Sequence, residues 1–289
     1  MACINPVTIN GVSGLPCGKC PKCLSRRASE WALRCQHEMA FHEDNCFLTL
    51  TYDDNPNNDD RTQTYYDVQI FLKKLRRLAK KKISFLSSIE YGGKSGRLHY
   101  HFIIFGYYPK HPQLLKYTEK GYPLYHEPSI PTSRTLADIW PYGFHSFAVA
   151  TGGSAYYIAN YSLKNNHFVT NDGEILSDSL KCSHGIGLRY FHKYFENLIA
   201  ESFFTKIPIP RYYKKKLEEF YPNHYDYYVD RWNEIDYQLE SDPEAVLKEI
   251  KSKTDMSQSN FRENKSFDDE LNYVKNIKRY KRGMSPRFN

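Results

Sequence analysis

Between residues 44 and 164 the hydrophobic positions change period several times, and each change marks an element. Phe47-Leu48-Thr49-Leu50-Thr51-Tyr52 alternates bulky apolar side chains with threonine, as a half-buried strand does, and the polar run Asp53-Asp54-Asn55-Pro56-Asn57-Asn58 ends it. Val68, Phe71, Leu72, Leu75 and Leu78 then recur at spacings of three and four, which predicts an amphipathic helix over 64–82. Two strands follow over 83–91 and 97–105, joined by the hairpin turn Gly92-Gly93-Lys94-Ser95-Gly96. A Pro- and Tyr-rich loop over 107–131, a short helix over 136–140 and a strand over 143–150 come next. A helix over 154–164 closes this stretch, with Ser154 as its expected N-cap.

The flanks read differently. Residues 1–24 form a Cys/Gly/Pro-rich head, and 25–43 a helix carrying Trp31, Leu33, Cys35 and Met39. Ile207-Pro208-Ile209-Pro210 breaks the chain, and the polar text beyond it predicts helical extensions without a second core. The expected organisation is a head and first helix over 1–43, a core over 44–205 and a mostly helical extension over 206–289. The element order implies an α+β fold, an antiparallel sheet with helices on one side. No apolar run approaches the length of about eighteen residues that a membrane span needs, and the first residues lack a secretory pattern. A soluble protein that is not secreted is expected.

Charge adds a partner. The net charge of the 289 residues is +7. Its distribution matters more: Lys73, Lys74, Arg76, Arg77, Lys80, Lys81 and Lys82 crowd the wet side of one predicted helix with no acid among them. Lys275, Lys278, Arg279, Lys281 and Arg282 form a second cluster. Such clusters suit a polyanion, and they also occur as ordinary solvated faces. Aromatic residues make up 16% of the chain, 25 of them tyrosines, and can stack on unpaired bases as well as pack a core. Seven cysteines, an odd number, argue against a disulfide framework. Cys3, Cys17, Cys20 and Cys23 have spacing suited to a structural zinc, whereas Cys35, Cys46 and Cys182 read as buried thiols.

Two constellations carry chemistry. On the strand Arg97-Leu98-His99-Tyr100-His101, the histidines share one face and can grip one cation, and Glu90 on the partner hairpin strand can complete a two-His, one-carboxylate set. On the last helix, Tyr157, Tyr161 and Lys164 stand at i, i+4 and i+7, one stripe of two phenols and an amine. Packing alone accounts for either constellation singly.

Together they resemble the HUH-type endonucleases, and more narrowly the replication initiators of microviruses of the gokushovirus type. The carrying residues are Cys17-Gly18-Lys19-Cys20, Trp31-Ala32-Leu33-Arg34-Cys35, Phe47-Leu48-Thr49-Leu50-Thr51-Tyr52, Glu90-Tyr91-Gly92, His99-Tyr100-His101, Tyr157-Ile158-Ala159-Asn160-Tyr161 and Gly185-Ile186-Gly187. The family pattern departs at Asn160, where a basic residue is usual, and at Leu98, where proline is common. The resemblance implies a ferredoxin- or RRM-like core with Mg or Mn on His99, His101 and Glu90. It also implies a tyrosine that attacks DNA, leaving a 5′-phosphotyrosyl link, with Tyr157 and Tyr161 alternating to rejoin the strand.

The expected function is therefore initiation of rolling-circle replication by nicking one strand. Origin and single-stranded DNA would be held by Lys73, Lys74, Arg76, Arg77, Lys80, Lys81 and Arg97. A host helicase and polymerase would be partners in the bacterial cytoplasm, since no phosphate loop of an unwinding motor occurs in the chain. Two other readings stay open: a non-catalytic, zinc-containing nucleic-acid-binding protein, and a metallohydrolase using activated water.

Overall fold

The computed structural model describes residues 3–53, 65–91, 98–163, 167–169, 175–177 and 179–242, with Glu244 and Lys275. The chain forms two compact units, Met1–Gly187 and Leu188–Asn289.

The first unit runs β1 (Val7–Ile9), β2 (Val12–Leu15), α1 (Pro21–Met39), β3 (Asn45–Tyr52), α2 (Tyr65–Ala79), β4 (Ser84–Tyr91) and β5 (Leu98–Phe105). It continues with β6 (Gln113–Tyr117), β7 (Pro123–His126), α3 (Leu136–Ile139), β8 (Gly143–Val149), α4 (Gly152–Leu163), β9 (His167–Val169), β10 (Ile175–Ser177) and β11 (Ser179–Cys182). Seven strands make one antiparallel sheet in the order β11-β4-β5-β3-β8-β7-β6. The α+β class with flanking helices is thus the observed one.

The helices cover both faces of this sheet, not one as expected, and β5 explains why. Leu98, Tyr100, Phe102 and Ile104 pack with Val68, Phe71, Leu72 and Leu75 of α2 and with Trp140. Ile103 and Phe105, on the opposite face, pack with Cys35 of α1 and with Ala155 and Ile158 of α4. A strand apolar on both sides must be covered twice, since each large side chain taken from water contributes about 1.5–3 kcal/mol.

Local boundaries moved for identifiable reasons. Helix α1 starts at Pro21, where proline's missing N–H costs no helical hydrogen bond. Thr151, not Ser154, caps α4: its hydroxyl accepts the Ser154 N–H at 3.2 Å while Ser154 Oγ accepts the Thr151 N–H at 2.8 Å. The segment read as a loop over 107–131 contains the hairpin β6–β7, and every residue of its edge strand β6 is exposed, so no burial pattern announced it. Cys35 and Cys46 are buried as expected, but Cys182 is exposed.

The second unit contains α5 (Leu188–Thr205), α6 (Arg211–Phe220) and α7 (Pro222–Ser241). Contrary to the expectation of extensions without a core, Phe191, Ile199, Phe203, Tyr213, Leu217, Tyr228 and Ile235 form one. Aromatic rings supply the apolar area that the scarcity of aliphatic residues had hidden. Helix α5, grouped by the sequence reading with residues 44–205, belongs to this unit. No helix of the described residues is long and apolar enough to cross a membrane.

Candidate active site

Strand β5 is central, and its register with both neighbours builds the site. His99 lies opposite Thr51 of β3 and Glu90 of β4, and His101 lies opposite Thr49 and Ser88. Thr51 Oγ1 is 2.9 Å from His99 Nδ1, and Thr49 Oγ1 is 3.0 Å from His101 Nδ1. With Nδ1–H donating to the hydroxyl, the Nε2 lone pair of each ring is left for a cation. His101 Nε2 lies 3.0 Å from Glu90 Oε2, so this carboxylate and this imidazole are already paired.

The histidine rings are 6.4 Å apart between centroids. Tyr157 of α4 stands edge-on to His101 at 5.6 Å and edge-on to Phe47 at 6.1 Å, while Phe47 stacks on His101 at 5.9 Å. Tyr157 is 36% exposed, so its ring lies between the histidine strand and solvent, where a strand of DNA can reach it. Tyr156 points elsewhere: its hydroxyl is 3.2 Å from Ser25 Oγ of α1.

A divalent cation suits this donor set of imidazoles and a carboxylate. Ser88 Oγ, buried directly across from His101, has no hydrogen-bond partner among the described residues, which leaves a polar atom for a further group. The set is looser than the cysteine cluster: among the described residues only Cys3, Cys17, Cys20 and Cys23 bring three or more such ligand atoms within 4.8 Å of one another. These four cysteines are positioned to hold a metal ion. Backbone hydrogen bonds at Ile4 and Cys23 pull the Cys20 thiol down to about 6.

Other expected residues are placed as follows. Tyr161 lies in α4, but its side chain is outside the described residues, as are Lys164 and Arg97 entirely. Lys73, Lys74, Arg76 and Arg77 ride on α2, which covers the sheet face opposite the histidines. Arg77, Lys80 and Lys81 join Lys110 and Arg134 around a cleft of about 750 Å³, with Asp44 and Glu127 in its wall. Glu127 accepts hydrogen bonds from the Lys110, His111 and Leu136 N–H groups, and Lys81 pairs with Asp44 at 2.9 Å.

The Gly185-Ile186-Gly187 segment is tied to α1: buried Arg34 donates to the Ile186 carbonyl, and Glu38 accepts the Gly187 N–H at 2.8 Å. Thr49, Thr51, Phe47 and Ser88 were not singled out from the sequence. Their signal was present, since residues 47, 49 and 51 share one face of a strand, but only the pairing of β3 with β5 brings that face to the histidines.

The family model for replication-associated proteins of the ORF2 type matches residues 45–166, the stretch from β3 through α4. Replication-associated protein ORF4 of Chlamydia phage 1 is 31% identical over 235 residues, covering 76% of this chain and 58% of its own length. Replication-associated protein VP4 of Bdellovibrio phage phiMH2K is 31% identical over 256 residues, covering 83% of this chain and 76% of its own length. For replication-associated protein ORF2 of Spiroplasma virus 4 the identity is 28% over 234 residues, with 75% and 71% covered. No solved structure matches the chain. From the coverage of the Bdellovibrio phage relative and the family match across the histidine strand and the tyrosine helix, the chain belongs to the family of phage replication-associated proteins.

Proposed function

We propose that the chain initiates rolling-circle replication by nicking one strand of origin DNA with a tyrosine. The observation that carries this reading is Tyr157 against His101, the imidazole that is itself paired with Glu90. A divalent ion such as Mg or Mn on His99, His101 and Glu90 would supply positive charge to the phosphate oxygens as the transition state forms.

The Tyr157 phenol, at the solvent edge of the site, attacks the phosphorus. A bond forms between the phenolic oxygen and the 5′-phosphate, and the bond to the 3′ oxygen breaks. That oxygen takes up a proton and leaves as a 3′-hydroxyl, while the phenol gives its proton to solvent. The phosphotyrosyl bond conserves the energy of the phosphodiester, so attack by a 3′-hydroxyl can rejoin the strand. Tyr161, one turn along α4, is the proposed alternate nucleophile, with Lys164 a turn further as its cationic neighbour. Thr49 and Thr51 hold the imidazoles, and the basic side chains of α2 and its cleft engage the phosphate backbone. Extension and unwinding fall to host enzymes.

Incubation of the protein with a single strand carrying the phage origin and Mg or Mn tests this. A protein–DNA adduct resistant to denaturation is expected, and it should vanish in the Tyr157→Phe, Tyr161→Phe double variant. Nicking that persists in the double variant sinks the tyrosine mechanism and favours activated water. Binding of the origin without cleavage by the unaltered chain favours a non-catalytic binding protein.

A further inference from the structure

We infer that Cys3, Cys17, Cys20 and Cys23 hold one zinc ion in a closed structural centre, which fastens the N-terminal hairpin to the first turn of α1 and so steadies the platform under the tyrosine helix. The inference goes beyond the nicking reading and does not depend on it.

Distance is the first argument. The four sulfurs lie within 4.8 Å of one another, and Cys3 Sγ and Cys20 Sγ are 3.8 Å apart. Tetrahedral zinc at about 2.3 Å from each thiolate requires sulfurs about 3.8 Å apart. A set of four soft thiolates selects zinc over Mg or Mn, and full coordination by protein leaves no open position for catalysis.

Backbone geometry is the second. Cys3 Sγ accepts the Cys17 N–H and Cys17 Sγ accepts the Cys20 N–H, each at 3.3 Å, which spreads the negative charge that thiolates bring. Gly18, at φ +74, makes the turn between two of the ligands. The centre stands at the N-terminus of α1, whose first turn holds no acidic residue, and four thiolates on one dication leave the net negative charge that a helix N-terminus favours.

The third argument is what else fails to hold the hairpin. On β1 and β2, Val7, Ile9 and Val12 are 37%, 55% and 57% exposed, so the pair that returns Cys3 to Cys17 has no apolar face buried. A two-stranded hairpin without a core is marginal in water, and a metal cross-link supplies the missing tie. Beyond the centre, α1 carries Ser25 to the Tyr156 hydroxyl, and its buried Ala28 packs with Ala159 of α4. On binding, each thiol gives up its proton to buffer and forms one sulfur–zinc bond.

The test uses the full chain, purified reduced and dialysed. One zinc per chain is expected by elemental analysis, and replacement by cobalt should give thiolate-to-cobalt charge-transfer and tetrahedral ligand-field bands. Both should be lost in Cys17→Ser, Cys20→Ser and kept in Cys182→Ser and in His99→Ala. Chelation of the unaltered protein should speed hydrogen exchange at 20–27 and 152–160. A reduced chain without zinc, a cobalt spectrum without thiolate bands, or a mass lowered by paired disulfides overturns the inference. So does zinc lost in His99→Ala but kept in the double cysteine variant. None of these readouts depends on nicking, so failure of the nicking reading leaves them in place.

Discussion

Thr51 Oγ1 lies 2.9 Å from His99 Nδ1 across a register in which the two residues are directly opposed. Thr49 repeats the contact with His101 two residues earlier on β3. Each hydroxyl holds a ring orientation and a tautomer. Thr49→Val and Thr51→Val keep the strand's shape and remove that hold. Each should weaken Mn binding by about 10–100-fold, the usual effect of losing a partner to a ligating histidine. Titration of Mn followed by calorimetry checks this, and unchanged affinity in both variants would remove the threonines from the site.

The placement of α2 on the far side of the sheet from His99 requires DNA that meets both to pass round an edge. Lys73→Gln, Arg76→Gln, Lys80→Gln should therefore weaken binding of a long strand more than of a short one spanning only the cleavage site. The slope of log affinity against log salt should flatten by about two for the long strand, at about 0.7 per phosphate contact. Fluorescence anisotropy at several salt concentrations reads it, and equal losses for both lengths would contradict the wrapped path.

His37 is buried on α1, and burial lowers its pKa from 6.5 to about 4. Below 6.5 the unfolded chain takes up a proton that the folded chain refuses until about pH 4. Stability present above pH 6.5 is therefore lost as pH falls through this window, by on the order of 3 kcal/mol at the lower end. Urea denaturation across that range should show the loss, and His37→Gln should flatten it. A wild-type and variant pair with the same pH dependence would assign the loss to other groups.

Phe102 sits wholly buried where β5 meets α2, against Phe71 at 5.9 Å and Phe85 at 6.4 Å. Phe102→Ala should destabilise by about 3–5 kcal/mol, the transfer term plus the cavity left behind. Chemical denaturation measures it, and a cost below about 1 kcal/mol would mean that the surrounding rings collapse into the space.

The central elements were legible because local patterns determine them: alternation in 47–52, helical spacing from Val68 to Leu78, and a glycine-rich turn between two strands. His-x-His on one strand face and the four-cysteine spacing were equally local, and the structure brings each set together. Edge strand β6 was not legible, since an exposed strand is free of the burial pattern that sequence reading depends on. The second core escaped for a related reason, because rings such as Phe191, Tyr213 and Tyr228 read as polar-segment aromatics until three helices fold them inward.

By itself, then, the sequence determined the chemistry available: two imidazoles and a carboxylate on a hairpin, tyrosines on a helix, four thiols in a head. Tertiary structure decided which groups meet. Pairing of β3 with β5 brings threonines to the histidines, and packing of α4 on that same face brings Tyr157, not Tyr156, to His101. The reason is geometric: side-chain period assigns a residue to a face, but only long-range strand pairing and helix packing say what that face looks at.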